Sequence, residues 1–223
     1  MIEVLSSFNC TSNTFFLSVN IMDSFLNKSQ KSFEMKDIHL VGVTSMLIAS
    51  KMEEIIPFKV STVVDKMTHN KIKSREIIRS EEMILRTVGF ELLSDPSLYV
   101  YLENLSVLLN MHNQDYYRDL MKILNYISKM VMHDYNFIRK HSLKYIAASC
   151  MFIAFKLMEQ MNKNLKPKIL IEKMKSKLKL SEQTFFATSE QALTLAKNFE
   201  KLFPYAKNLA KFDSFVLENL SNK

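Results

Sequence analysis

The sequence predicts an all-α protein made of two similar helical bundles. Three observations carry this expectation. Only 2 Gly and 4 Pro occur among 223 residues, too few for hairpin turns, a glycine-rich phosphate loop or a Rossmann crossover. Apolar residues recur at helical spacing along most of the chain, 15 Met among them. The second half then repeats the plan of the first at an offset of about 105 residues, far too long a period for a solenoid.

Residues 14–26 open the first bundle. Phe15, Val19, Met22 and Leu26 fall on one helical face after the cap-rich run Thr11-Ser12-Asn13-Thr14. A second helix is expected over 36–54, apolar almost all round from Leu40 to Ala49, which marks the buried centre of a bundle. Gly42, Ser45 and Ala49 are small enough for neighbouring helices to cross it closely, and Pro57 ends it. A short helix near 59–66 and a longer one over 74–88, stopped by Gly89, complete the first half. Asp95-Pro96 reads as an N-cap followed by a first-turn proline, which sets expected domains of 1–94 and 95–223.

The offset places Ala49-Ser50-Lys51 on Ala154-Phe155-Lys156, and Gly42 on Ala147. The apolar positions of 14–26 overlay Ile123, Leu124, Ile127 and Met130. Pro167 is expected to start a short helix, and Ser181 to cap a long one running to about Leu202.

The net charge of +7 is unevenly placed. Residues 1–94 carry 11 basic and 11 acidic side chains; residues 95–223 carry 19 and 12. Most of the excess is Lys163, Lys166, Lys168, Lys173, Lys175, Lys177 and Lys179, set against the single acid Glu172. No arginine or aromatic ring interleaves these lysines, so a solvated helix face is favoured over a polyanion-binding patch.

Chemistry of other kinds finds little support. Cys10 and Cys150 form neither a disulfide framework nor a zinc spacing, and point to a reducing compartment. His39, His69, His112, His133 and His141 show no ligand spacing. No nucleophile–base arrangement or phosphate loop is present, so no catalytic residue, metal or cofactor is expected. No signal peptide is recognised at the N-terminus, and no apolar run reaches the roughly 18 residues of a membrane span.

Several segments in order resemble the cyclin family, in its mitotic A/B-like form. LVGVTSMLIASKMEEIIP (Leu40 to Pro57) is similar to the central helix of the first cyclin box, and SEEMILRTVGFEL (Ser80 to Leu92) to its fifth helix. TFFLSVNIMDSFL (Thr14 to Leu26) resembles the second helix, and RKHSLKYIAASCMFIAFKL (Arg139 to Leu157) the core of the second box. The resemblance covers roughly residues 2–203.

The resemblance implies two tandem five-helix boxes and a non-catalytic role. Such a chain forms a heterodimer with a cyclin-dependent protein kinase and holds it active toward its protein substrates, here with a G2/M expectation, in nucleus and cytoplasm. It also implies that Lys51 and Glu81 grip the backbone of the kinase's mobile helix, as charge-assisted hydrogen-bonding groups can. Ile48, Met52, Leu85, Phe90 and Leu92 are the matched apolar contacts, with Glu54 at the edge of the same face. Without the resemblance, Lys51 and Glu54 would read as an ordinary i,i+3 helical pair.

Departures from the family pattern carry expectations too. The family's first helix bears a Met-Arg-Ala-Ile-Leu-like segment and a nearby Trp, and this chain has no Trp. That segment's Arg pairs with the position of Asp23, so the chain is expected to extend upstream, or another polar group to replace the Arg. His39 stands where many relatives have a Gln lining a substrate-docking groove. The competing function is a transcriptional cyclin, or a cyclin-fold transcription factor that binds nucleic acid. The neutral first half and the cysteine count argue against the latter.

Overall fold

The computed structural model describes residues 1–29, 32–93, 96–161 and 166–203. The chain divides between Ser97 and Leu98 into two compact units, and among the described residues there is no strand. Each unit is a helical bundle around one buried central helix.

The first unit contains α1 (Ile2–Ser7), α2 (Ser12–Lys28), α3 (Met35–Glu53), α4 (Val60–Thr62) and α5 (Ser74–Val88). The last turn of α4 runs on into a π-helical turn, Val63–Met67. Thr11 caps α2, its hydroxyl accepting the Thr14 N–H at 3.4 Å. α3 is buried without a break from Val43 to Ser50 and packs against both α2 and α5. Leu17, Ile21 and Phe25 of α2 meet Val41, Ile48 and Ala49 of α3, and Ile84 and Val88 of α5, in one core. Each such aliphatic side chain contributes about 1.5–3 kcal/mol on burial.

The end of α5 matches the expectation. Gly89 takes φ 76°, a left-handed conformation costly to any residue with a Cβ. The Phe90 N–H then bonds back to the Leu85 carbonyl at 2.9 Å, satisfying an acceptor the helix leaves open. Lys28 Nζ covers a further one, the Val88 carbonyl, at 3.0 Å.

Three local readings need correction. A Cβ on Gly42 would meet only Met1 Cε at 3.6 Å, an ordinary contact, so close crossing of α3 rests on the fully buried Ser45 and Ala49. α3 ends at Glu53 with Glu54 already extended, so its stop precedes Pro57. Pro96 does not open a helix: α6 (Leu98–Leu108) begins at Leu98, where buried Leu98, Leu102 and Leu105 set up a helical face. Asp95 lies outside the described residues.

After α6, the second unit continues with α7 (Tyr117–Val131), α8 (Tyr135–Lys140), α9 (Leu143–Met161), α10 (Pro167–Leu178), α11 (Glu182–Lys197) and α12 (Phe199–Leu202). α9 is the central helix, packed by α6, α7, α10 and α11, with α8 and α12 as short additions. Ile123, Leu124, Ile127 and Met130 are all buried on α7, as the internal repeat requires. Pro167 is the first residue of α10, where its missing N–H costs nothing.

The last long helix is in two pieces. Asn198 leaves helical geometry at ψ 10°, and its side-chain amide donates to the Thr194 carbonyl at 2.9 Å, closing α11 before α12 begins. Ser181 stands at the cap of α11 without a side-chain cap bond; its N–H donates to Tyr145 Oη at 3.0 Å.

Candidate interaction surface

Burial dictates which faces of the first unit stay open. The inner face of α5 is spent on Ile77, Ile84 and Val88, and α3 is closed from Val43 to Ser50. There the chain re-emerges with Lys51 and Met52, opposite Glu81 of α5. Lys51 Nζ lies 2.5 Å from Glu81 Oε1, with the Lys51 side chain 43% exposed and that of Glu81 only 16%. The two residues singled out as a pair of polar grips are thus brought together, one donor and one acceptor at the rim of the core. Glu82 next door faces solvent and pairs with Arg86 at 2.9 Å.

Apolar side chains stand exposed on the segments that carry this pair. Met52 is half exposed, and Ile55 and Ile56 in the loop after α3 are 101% and 84% exposed. Ile78 on α5 and Leu93 beyond it are open as well. Phe90 is 68% exposed and held at φ 60°, a conformation that costs a bulky residue of order 1–3 kcal/mol. Large apolar groups left this exposed in one unit, on the segments that carry the charged pair, point to a protein-binding role. Ile55, Ile56, Ile78 and Leu93 were not singled out from sequence. An apolar pair just before Pro57, outside any helix, was the available signal for the first two.

Other expected contacts serve different ends. Ile48 is 3% exposed and belongs to the core cluster, so it offers no open area. Leu85 and Leu92 are half-buried and pack against that same cluster. Glu54 forms no pair with Lys51. Its Oε1 accepts the Thr11 N–H at 2.7 Å, the Thr11 hydroxyl at 3.2 Å and the Thr14 hydroxyl. Burial pushes this carboxyl up, but the Thr14 and Thr11 hydrogen bonds together outweigh it and hold it below its ordinary value. Glu54 therefore ties the end of α3 to the start of α2. The same carboxylate adds to burial in raising the Cys10 thiol to about 11, so Cys10 stays protonated.

The second unit supplies an internal comparison. Lys156, the counterpart of Lys51, is exposed and sits 3.7 Å from Glu159, the plain i,i+3 pair that Lys51 does not make. At the 105-residue offset Glu81 falls on Phe186, so the cross-helix grip is absent there. The lysine run is not a uniform solvated face. Lys173 Nζ donates to the Leu109 carbonyl at 3.2 Å, and Lys175 bridges Glu182 at 2.8 Å and Glu172 at 3.0 Å. Glu182 and Glu172 hold the Lys175 ammonium above its ordinary value. Lys166, Lys168, Lys177 and Lys179 remain exposed, and Lys163 lies outside the described residues.

His39 is exposed in the second turn of α3. Asp23 is half-buried on α2, and burial alone pushes its carboxyl up. The His133 ring is edge-on to Phe199 and Phe203 with Nδ1 2.7 Å from the Lys129 carbonyl oxygen; burial lowers it. His141 is taken up by Gln191 and Thr188 at 3.0 and 3.2 Å. Among the described residues no group of three or more His, Cys, Asp or Glu could hold a metal ion, and no helix is long and apolar enough to cross a membrane.

Comparison with known proteins bears on the fold and the family. The family model described as "Cyclin, N-terminal domain" matches residues 1–93. Cyclin-A2-1 of Oryza sativa subsp. japonica is 31% identical over 154 residues, 69% of this chain and 30% of that protein. G2/mitotic-specific cyclin-B of Hydra viridissima is 28% identical over 162 residues, 73% of this chain and 39% of that protein. The matched part thus spans well under half of either relative. The crystal structure of a viral cyclin from herpesvirus saimiri superposes with a TM-score of 0.66 over 86% of this chain and 80% of that one, at 23% identity, and shares the fold. With its paired helical bundles and these matches, the chain belongs to the cyclin family.

Proposed function

We propose that this chain is a non-catalytic regulatory subunit that binds and activates a cyclin-dependent serine/threonine kinase, in nucleus and cytoplasm, at the G2/M stage of the cell cycle. Its first unit, residues 1–94 by the sequence boundary, carries the kinase-binding face. The observation that carries the reading is the Lys51–Glu81 pair at 2.5 Å, on segments that also expose Met52, Ile55, Ile56 and Phe90. A paired cation and anion at the edge of an apolar face can each bond a partner's backbone, the ammonium a carbonyl and the carboxylate an N–H. Leu85 and Leu92 support that face from behind, and Glu54 fixes its loop. The G2/M assignment draws on the kinship with a cyclin-B named G2/mitotic-specific.

Affinity purification of the tagged chain from cells tests the reading. A co-purifying kinase whose activity depends on the chain is the expected result. Purification without any kinase, with sequence-selective nucleic acid bound instead, would move the protein to the transcription-factor class.

A further inference from the structure

A second charged surface lies beside the one just described. The first half of the chain is neutral overall, yet five cations lie close together between residues 66 and 79: Lys66, Lys71, Lys73, Arg75 and Arg79. All five are exposed, and among the described residues none has an ion-pair partner. Some other surface cations have local partners, as in Lys36–Glu34, Arg86–Glu82, Lys122–Asp119 and Lys156–Glu159. The acid within the cluster, Glu76, has its Oε2 turned to the Lys73 backbone N–H at 2.8 Å and serves the helix start.

These charges sit where they cost stability. Arg75 and Arg79 are an i,i+4 like-charge pair, mildly repulsive on a helix. Arg75 lies in the first turn of α5, where the backbone dipole disfavours a cation. Left-handed His69 (φ 49°) and Asn70 (φ 61°) reverse the chain between Lys66 and Lys71, just before α5 begins at Ser74. Half-exposed Ile78 lies one helical turn from Arg75 and one from Glu81, and so links the start of α5 to the proposed kinase-binding face, while Arg79 falls on another side of the helix from Glu81. With five cations and no Phe, Tyr or Trp among them, the surface suits carboxylates better than stacked bases.

We propose that Lys66, Lys71, Lys73, Arg75 and Arg79 form an electrostatic docking surface for an acidic, Asp/Glu-rich polypeptide segment of the partner bound at the Lys51–Glu81 face. This rests on the kinase-binding reading. Its effect is on encounter: exposed complementary charge speeds association and makes it salt-dependent, while the desolvated grip sets the lifetime of the complex.

The test uses the full chain, the variants R75E/R79E and R75Q/R79Q, and Lys51→Ala as a contrast. Association and dissociation rates with a cyclin-dependent kinase are measured at low and high salt. R75E/R79E should slow association about tenfold at low salt and flatten its salt dependence, leaving dissociation nearly unchanged. R75Q/R79Q should fall between it and wild type, and Lys51→Ala should act mainly on dissociation. Unchanged association and salt dependence in both arginine variants, with native circular dichroism, overturns the proposal. A fluorescent oligo-glutamate peptide and a DNA duplex are titrated in parallel, separating this idea from the kinase reading. If no kinase binds wild type, the kinase reading fails and with it the proposed occupant. Peptide binding lost in R75E/R79E supports the surface's preference for carboxylates. Tighter binding of the duplex than of the peptide overturns it.

Discussion

Lys51 of α3 and Glu81 of α5, thirty residues apart in sequence, share one ion pair at 2.5 Å. In the free chain each group satisfies the other, so neither is left without a partner at the edge of the core. The pair also bridges the central helix and its neighbour, which fixes where a bound backbone would meet them. With the Lys51 side chain 43% exposed, the bridge itself contributes little to stability, about 0–1 kcal/mol.

Truncating either partner should therefore leave the fold standing. Lys51→Ala and Glu81→Ala are each expected to lower unfolding free energy by less than about 1 kcal/mol. Urea denaturation followed by circular dichroism measures this, and a loss of several kcal/mol would assign the pair a structural role.

Glu54 should behave in the opposite way. Its folded-state carboxyl is held below its ordinary value, so its stabilisation is fully present above the unfolded pKa and is lost as pH falls through the folded one. The wild type should lose stability as pH drops below the ordinary carboxylate range, and Glu54→Gln should be less stable at neutral pH with a flatter acid limb. Denaturation curves taken from pH 7 down to about pH 3 decide the point. Coincident curves for the two proteins would dismiss the tie between α3 and Thr11.

Asp23 runs the other way again. Burial raises its carboxyl, so the folded state binds the proton more tightly than the unfolded chain. The resulting penalty is absent below the unfolded pKa, grows as pH rises toward the folded one, and is complete above it. Asp23→Asn should raise the melting temperature at pH 7 and leave it unchanged at acid pH. A lower melting temperature at pH 7 would mean the carboxylate has a compensating partner.

The lysine run should split into two classes. Lys173→Gln loses its bond to the Leu109 carbonyl and is expected to cost about 1 kcal/mol. Lys177→Gln and Lys179→Gln, on exposed positions, should stay within about 0.5 kcal/mol of wild type. Binding of duplex DNA should be weak throughout, roughly 10⁻⁴–10⁻⁶ M at physiological salt. Thermal melts beside DNA titrations check both halves, and tight selective DNA binding lost in the exposed pair would revive the nucleic-acid function.

Where local chemistry decides the backbone, the sequence was readable: Gly89 ends α5 and Pro167 begins α10, each for a reason carried by that residue alone. The continuous burial of α3 likewise followed from its apolar circumference. Long-range partners were not readable. Nothing near Glu54 in sequence reveals Thr11 and Thr14, and a nearby lysine made the wrong pairing the natural one. Ile48 could not be told from Met52 as a surface residue, because both are apolar on one helix and only the packing of α2 and α5 closes one of them. The break at Asn198 and the short helix α8 depend on side-chain caps too local for periodicity to register.

The central claim is that Lys51 and Glu81 together hold a kinase. Calorimetric titration of a cyclin-dependent kinase with wild type, Lys51→Ala, Glu81→Ala and the double variant tests it most directly. Each single change should weaken binding by about 2–5 kcal/mol, and the double change by much less than their sum, because the two act as a unit. Wild-type affinity in both single variants, with native circular dichroism, would contradict the account.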